Sequence, residues 1–297
     1  MTSRKVLLIL FFVPSAISFL RLFRIMAATT AASSPPPSTI PPPTPGLPLQ
    51  CSCTPCVTSA RLSPLESPSI PRRSGISSNT ATGVLNQEEL RLLSSIISLR
   101  APCNLLFFGL RPQLLALSAL NAGGRTVFLD DGVRNLRAAA QPPKSQSVQV
   151  YKVRYNDTAG RAYDMLRRAR SDPACALEAA AGDLRSSACP LALSWLPDEV
   201  HQRCWHVIVV DGPSGDRAEA PGRMATIYSA GVMARAGERA AEVLVHDVDR
   251  TVEKWYSWEY LCNENLASAK GKLWHFRIPG GNSKFSGFCS DSKVDII

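Results

Sequence analysis

The chain contains no G-x-G-x-x-G, no G-x-x-x-x-G-K-[ST] loop and no G-x-S-x-G elbow. These absences remove the usual pyrophosphate cradle of a dinucleotide site, the phosphate loop of a nucleoside triphosphatase and the strained nucleophile turn of an α/β-hydrolase. No basic stripe is interleaved with aromatics, so nucleic acid is not an expected partner. No second cysteine cluster accompanies Cys51, Cys53 and Cys56, so a four-ligand metal site is not readable and none is expected. There is no internal repeat. The longest early uncharged run, residues 6–20, has only 15 residues. As a helix it spans about 23 Å, short of a bilayer core of about 30 Å.

What the chain does have is uneven. Its formal net charge is +9, but residues 1–82 carry seven Lys/Arg against one Glu, and the remainder is only mildly basic. Arg4 and Lys5 precede the apolar run; Arg21 and Arg24 follow it. Leu22, Phe23 and Ile25 lengthen the span if the arginines snorkel, which reads as an uncleaved signal anchor over residues 1–26. A cleaved signal peptide is the rival reading, because Ala27, Ala28, Ala31 and Ala32 follow. Residues 27–82 form a Pro/Ser/Thr-rich stem, with eight prolines between 29 and 50. Such a segment favours extended polyproline and builds no packed core. Anchor and stem together suggest a Golgi-type membrane enzyme with its domain lumenal; secretion is the alternative. Asn156-Asp157-Thr158 is then a glycosylation sequon. In an oxidising lumen the nine cysteines favour disulfides, with connectivity not readable.

The domain, residues 83–297, alternates between short apolar runs and helical spacing. "NQEELRLLSSIISLR" places Leu90, Leu93, Ile96 and Ile97 at helical intervals behind Asn86 as N-cap, and Pro102 closes it. "NLLFFG" reads as a buried strand, "QLLALSALNAGG" as a helix and "RTVFLDD" as a second strand. "SVQVYKVRY" reads as a third strand. "RAYDMLRRAR" is an amphipathic helix, "WHVIVVDGPSGD" a strand ending at Asp211, and "RMATIYSAGVMARA" a helix. "AEVLVHDVDR" is a strand ending in polar residues, "TVEKWYSWEYLCNENL" a helix and "GKLWHFRIP" a last strand. This alternation predicts an α/β fold with a mostly parallel sheet and helices on both faces.

In such sheets ligands bind beyond the carboxyl ends of the strands. Gly109, Asp130, Asp131, Asp211, His246 and Asp247 end four strands and are expected on one edge. Gly109 lets the chain turn beside a ligand. Asp130 or Asp131 suits the ribose hydroxyls of an adenosine cofactor. With no pyrophosphate cradle, S-adenosylmethionine is favoured over a dinucleotide. Asp211 is placed to deprotonate a substrate hydroxyl, and His246 is a candidate general base. Neighbouring strand residues face opposite ways, so His246 and Asp247 pair only if the strand has ended. Arg223 and Arg250 are candidates to grip the carboxylate of an acidic sugar. Trp255, Tyr256 and Trp258 read as core more readily than as a sugar platform.

The segments "APCNLLFFGL", "LNAGGRTVFLDD", "CPLALSWLP", "WHVIVVDGPSGDRAEAPGRMATIYSAGVMAR", "VLVHDVDRTVEKWYSWEYLCNEN" and "GKLWHFRIP" run in order across nearly the whole domain. Together they resemble the plant family of glucuronoxylan 4-O-methyltransferases and irregular-xylem xylan-biosynthesis proteins, and the sequence looks closer to the irregular-xylem branch. The resemblance implies a Rossmann-like methyltransferase fold and a role in xylan biosynthesis. It also implies S-adenosylmethionine as cofactor and glucuronoxylan or a related acidic polysaccharide as partner. It places cofactor roles on Gly109 and on Asp130 or Asp131, and site roles on Asp211, His246 and Asp247.

The departures are specific. Methyltransferase members typically read "GLGHDS" after the first strand, whereas this chain reads "GLRPQL", with Arg111 in place of the second glycine. "VHDVDR" lacks the paired aromatics of "HDYYR". A cation at 111 is expected to oppose a sulfonium. A non-catalytic xylan-assembly factor and a module for a related polysaccharide therefore stand beside an active methyltransferase.

Overall fold

The computed structural model describes residues 83–132, 147–281 and 287–290, all within the compact unit Leu47–Ile297. The expected anchor, the stem and the Cys51/Cys53/Cys56 cluster lie outside the described residues. Among the described residues no helix is long and apolar enough to cross a membrane.

The chain enters through α1 (Gln87–Arg100), where Asn86 caps the backbone N–H groups of Glu88 and Glu89 while Glu89 bonds back to Asn86. This reciprocal box satisfies donors that a helix start leaves open. Next come β1 (Asn104–Phe108), the short α2 (Pro112–Leu117) with a 3₁₀ turn over Ser118–Asn121, β2 (Arg125–Asp130) and β3 (Ser147–Lys152). Then follow α3 (Ala162–Ser171), α4 (Leu177–Gly182), α5 (Asp198–His201), β4 (Val207–Val210), α6 (Met224–Arg235), β5 (Ala241–Val245), α7 (Thr251–Tyr260), β6 (Leu266–Lys270) and β7 (Leu273–Ile278).

The seven strands lie in the order β3-β2-β1-β4-β5-β7-β6. Neighbours from β3 through β5 are parallel, whereas β7 runs antiparallel to both β5 and β6. The order reverses between β1 and β4, which makes a switch-point crevice at the carboxyl ends of those strands. Alternation along β1 explains the two-sided burial. Leu105 and Phe107 pack with Leu93, Ile97, Leu114 and Phe128 on one face; Leu106 and Phe108 pack with Leu166, Ile227, Tyr228 and Tyr256 on the other. The expected mostly parallel sheet, covered by helices on both faces, is what the structure has.

β6 differs from the sequence expectation. The helical reading ends at Leu266 and residues 267–270 carry no expected element, because "LASAK" is short and has no β-branched residue to favour a strand; the antiparallel partner β7 supplies its pairing. The cysteines resolve into Cys175–Cys189 and Cys262–Cys289, with Cys103 and Cys204 buried. Tyr256 is buried and donates to the Ala162 carbonyl, and Trp258 packs on Trp274, as core side chains do.

Candidate functional site

Gly109 follows β1 at φ 102°, and Asp211 and Gly212 follow β4 beside it. A Cβ on Gly109 would stand 3.0 Å from the Asp211 carbonyl carbon and the Gly212 nitrogen, and one on Gly212 would stand 2.7 Å from the Gly109 Cα. The two loops cross with no room for side chains, so this glycine serves the crossing itself. Gly109→Ala is expected to cost about 1–3 kcal/mol from backbone strain alone, and more from the clash. Gly123 also has positive φ, but its added Cβ would meet nothing closer than 3.9 Å. Denaturant midpoints should therefore fall further for Gly109→Ala than for Gly123→Ala.

Beyond this crossing lies a cleft of about 510 Å³, lined by Gly109, Leu110, Arg111, Asp130, Asp131, Asp211 and neighbouring backbone. The two adjacent acids of β2 have separate environments. Asp130 is buried; its Oδ2 accepts from the Leu110 N–H at 2.6 Å and its Oδ1 from the Gly132 N–H at 2.7 Å. It holds the loop. Asp131 is half-buried on the cleft wall, where burial, reinforced by the charge of Asp130, raises its carboxyl above the ordinary value. Burial also drives the Tyr155 phenol well above its usual value, helped by Asp131 and Asp130, and its hydroxyl has no hydrogen-bond partner among the described residues.

Behind the cleft lies a fully buried ionic cluster. Asp211 Oδ1 meets His246 Nδ1 at 2.8 Å. β5 ends at Val245, so His246 is released from strand alternation, yet its near partner is Asp211 rather than Asp247, whose Oδ1 is 3.7 Å away. The Nε2 edge of His246 faces Glu89 Oε2 at 3.5 Å. Asp247 takes a left-handed φ of 63°, a conformation that aspartate tolerates better than most residues.

Arg223 is turned into the core and away from the cleft. Its side chain is 0% exposed. It donates to the carbonyls of Pro213 at 3.2 Å and Asp211 at 3.0 Å, to that of His246, and to Asp247 Oδ2 at 2.7 Å. It ties the ends of the 212–222 loop to the β5 terminus. Arg250 also turns inward, pairing with Asp247 at 3.0 Å and Glu253 at 3.6 Å. Both expected sugar-binding arginines therefore neutralise buried carboxylates. Burial pushes the Glu253 carboxyl up, while Arg223 and Arg250 pull it back.

Asp211, His246 and Asp247 bring possible ligand atoms within 4.8 Å of one another. The guanidinium of Arg223 already engages both carboxylates, and Arg111 engages Asp211. The cluster therefore balances its charge with arginine. A second such grouping includes Cys262 and Cys289, which are joined to each other.

Arg111 is the main surprise. Its Nε lies 2.8 Å from Asp211 Oδ2, an ion pair at the cleft floor, and its side chain is 32% exposed. The expected repulsion of a cationic ligand is thus offset by a paired carboxylate. Glu89 and Glu253 were absent from the sequence-derived site because helical acids are usually solvated. A signal was present: Glu89 shares the helix face of Leu93, Ile96 and Ile97, and Glu253 that of Tyr256 and Tyr260.

Residues 88–276 match the model of the IRX15/IRX15L/GXM family. The chain belongs to this family. Among its relatives in Arabidopsis thaliana, arabinogalactan O-methyltransferase 2 is 39% identical over 65% of this chain and 66% of its own length. Glucuronoxylan 4-O-methyltransferase 1 is 39% identical over 65% and 67%, and protein IRREGULAR XYLEM 15 is 35% identical over 69% and 64%. The chain thus spans about two thirds of the length of the curated relatives it matches. A methyltransferase-like protein from Silicibacter pomeroyi aligns at a TM-score of 0.39 and 15% identity, over 66% of this chain and 88% of that one. At that level of likeness the fold assignment rests on the strand order. In this chain Arg111 stands between the switch-point glycine and α2, at the N-cap position of that helix.

Proposed function

We propose that this protein is an S-adenosylmethionine-dependent methyltransferase of plant cell-wall polysaccharide, acting on the 4-hydroxyl of glucuronic acid side chains of xylan. The observation that carries the reading is a half-buried carboxylate, Asp131, on the wall of a switch-point cleft that the Gly109 turn opens, with Asp211 buried beneath Arg111 at its floor. The names of the relatives support the chemistry and the substrate class. The two disulfides support an oxidising lumen, and with the N-terminal sequence they favour a type II Golgi protein.

The cleft fits the cofactor in size, within the range of about 300–1,000 Å³ usual for small-molecule sites. Among the described residues that line it, three acids stand against one cation, which suits a sulfonium. Because both Asp130 oxygens hold backbone N–H groups, Asp131 is the carboxylate left for the ribose hydroxyls. When bound, the cofactor supplies an electrophilic methyl group. Asp211, buried beneath Arg111 at the cleft floor, is the candidate acceptor for the proton of the acceptor hydroxyl, and His246 at its Oδ1 would fix its orientation.

Asp131→Ala should weaken S-adenosylhomocysteine binding by about 1.5–3 kcal/mol, the value of a hydrogen bond to a charged group, and leave thermal stability near wild type. Asp130→Ala should lower stability as well, because it frees the Leu110 and Gly132 N–H groups. Calorimetric titration and melting of both variants separate the two roles, and equal behaviour would contradict the assignment.

One observation favours a second reading, a non-catalytic xylan-assembly factor: Asp211 is already ion-paired with Arg111. Incubating the protein with labelled methyl donor and glucuronoxylan, with unsubstituted xylan as control, decides between them. Label confined to glucuronoxylan is expected. No label, together with restored xylan in deficient plants, would establish the assembly role.

A further inference from the structure

We infer that Arg111 is the residue that selects an acidic sugar, bridging Asp211 and the substrate carboxylate; this rests on the polysaccharide reading above. Arg223 and Arg250 are committed to buried carboxylates, so neither is available. Among the residues that line the cleft, Arg111 is the cation, set among Asp130, Asp131 and Asp211. A substrate carboxylate approaching Asp211 meets net negative charge unless a cation receives it.

The geometry suits that task. A guanidinium has five N–H donors arranged along its edges and can hold two carboxylates at once. Arg111 Nε lies 2.8 Å from Asp211 Oδ2 as an ion pair, and no hydrogen bond or ion pair occupies Nη1 or Nη2 among the described residues. The outer edge lies against Gly83, where a Cβ would press to 3.1 Å of Nη2 and 3.3 Å of Nη1. A side chain at position 83 would close that edge, and glycine there avoids it. Gln113 donates to the Leu85 carbonyl at 3.1 Å and fixes the same segment beside the cleft.

The chemistry of the substrate matches the pair. In a glucuronic acid residue the carboxylate sits on the carbon next to the one bearing the 4-hydroxyl. Asp211 is buried beneath Arg111, whose side chain is 32% exposed, so a sugar in the cleft meets Arg111 first. A carboxylate held there brings the neighbouring 4-hydroxyl to the same wall of the cleft. A neutral hexose in the same pose leaves the fork empty.

The test uses the full-length protein and two probes: a xylo-oligosaccharide with an unmethylated glucuronic acid branch, and the same compound with its carboxyl group reduced to an alcohol. Wild type should bind the acid at least about tenfold more tightly, and the preference should shrink as salt is raised. Arg111→Gln should cut the preference below about threefold, and Arg111→Lys should restore part of it, since lysine keeps the charge without the fork. Equal binding of both probes by wild type, or an unchanged preference in Arg111→Gln, overturns the inference, as does failure to bind either probe at millimolar concentration. The salt titration of wild type keeps the test open if a variant misfolds. Methyl transfer measured on the same preparations separates this inference from the proposed function. Transfer that ignores Arg111 removes the inference alone; an Arg111-dependent preference without transfer removes the methyltransferase reading alone.

Discussion

Arg223→Met should lower the stability of the domain by about 3–5 kcal/mol, the range for removing one partner from a buried ion pair. The corresponding fall in melting temperature is on the order of 10 °C for a domain of this size. The reason lies in what is left behind. Asp211, Asp247 and Glu253 are each about 1% exposed, and Arg223 is the cation they share. Without it Arg250 and Arg111 reach the cluster only from its edges. Arg223→Lys should fare little better, because a single ammonium cannot serve three carbonyls and a carboxylate in one plane. Arg250→Met, at a side chain that is 22% exposed, should cost less. Circular dichroism melts of the three variants provide the measurement. A melting temperature for Arg223→Met within a degree or two of wild type would refute the clamp and return the residue to its sequence-derived role, in which its loss mainly raises the Michaelis constant.

Asp211→Asn should reduce methyl transfer to glucuronoxylan by about a hundredfold or more, the usual contribution of a positioned general base. Affinity for S-adenosylhomocysteine should stay within about threefold, since a hundredfold rate effect corresponds to about 2.7 kcal/mol at the transition state. His246→Gln should cost less, because it acts through Asp211 Oδ1 and does not border the cleft. Steady-state rates beside binding titrations distinguish these outcomes. Undiminished turnover in Asp211→Asn would eliminate it as the proton acceptor.

Much of this was legible before the fold was seen. An apolar run that stops at Gly109, Asp130, Asp211 or His246 marks where a strand leaves the core, because a strand buried on both faces has no place for such groups until it ends. The helix start at Asn86 was legible for a local reason, its side chain meeting N–H groups two and three residues ahead. What was not legible depends on distant partners. Arg223 and Arg250 look like any solvated arginine until carboxylates up to 30 residues away in sequence fold onto them. Asp130 and Asp131 are chemically identical in sequence, and the N–H groups of Leu110 and Gly132 make them different. Arg111 was seen as an obstruction because the sequence shows its charge and hides the carboxylate that meets it.

The 212–222 loop has a consequence for how a polymer reaches the site. Arg223 draws its two ends together, and along its flank the carbonyls of Ala218 and Ala220 accept from Gly160 and Ala159 at 2.9 and 2.8 Å. A loop sewn along its side and closed at its neck behaves as masonry, not as a door. Pro213 and Ser214, at the cleft end of that loop, form a fixed parapet. On the function proposed above, a polysaccharide chain would meet a fixed edge at this rim, and residues 212–222 are expected to hold the same course with and without it.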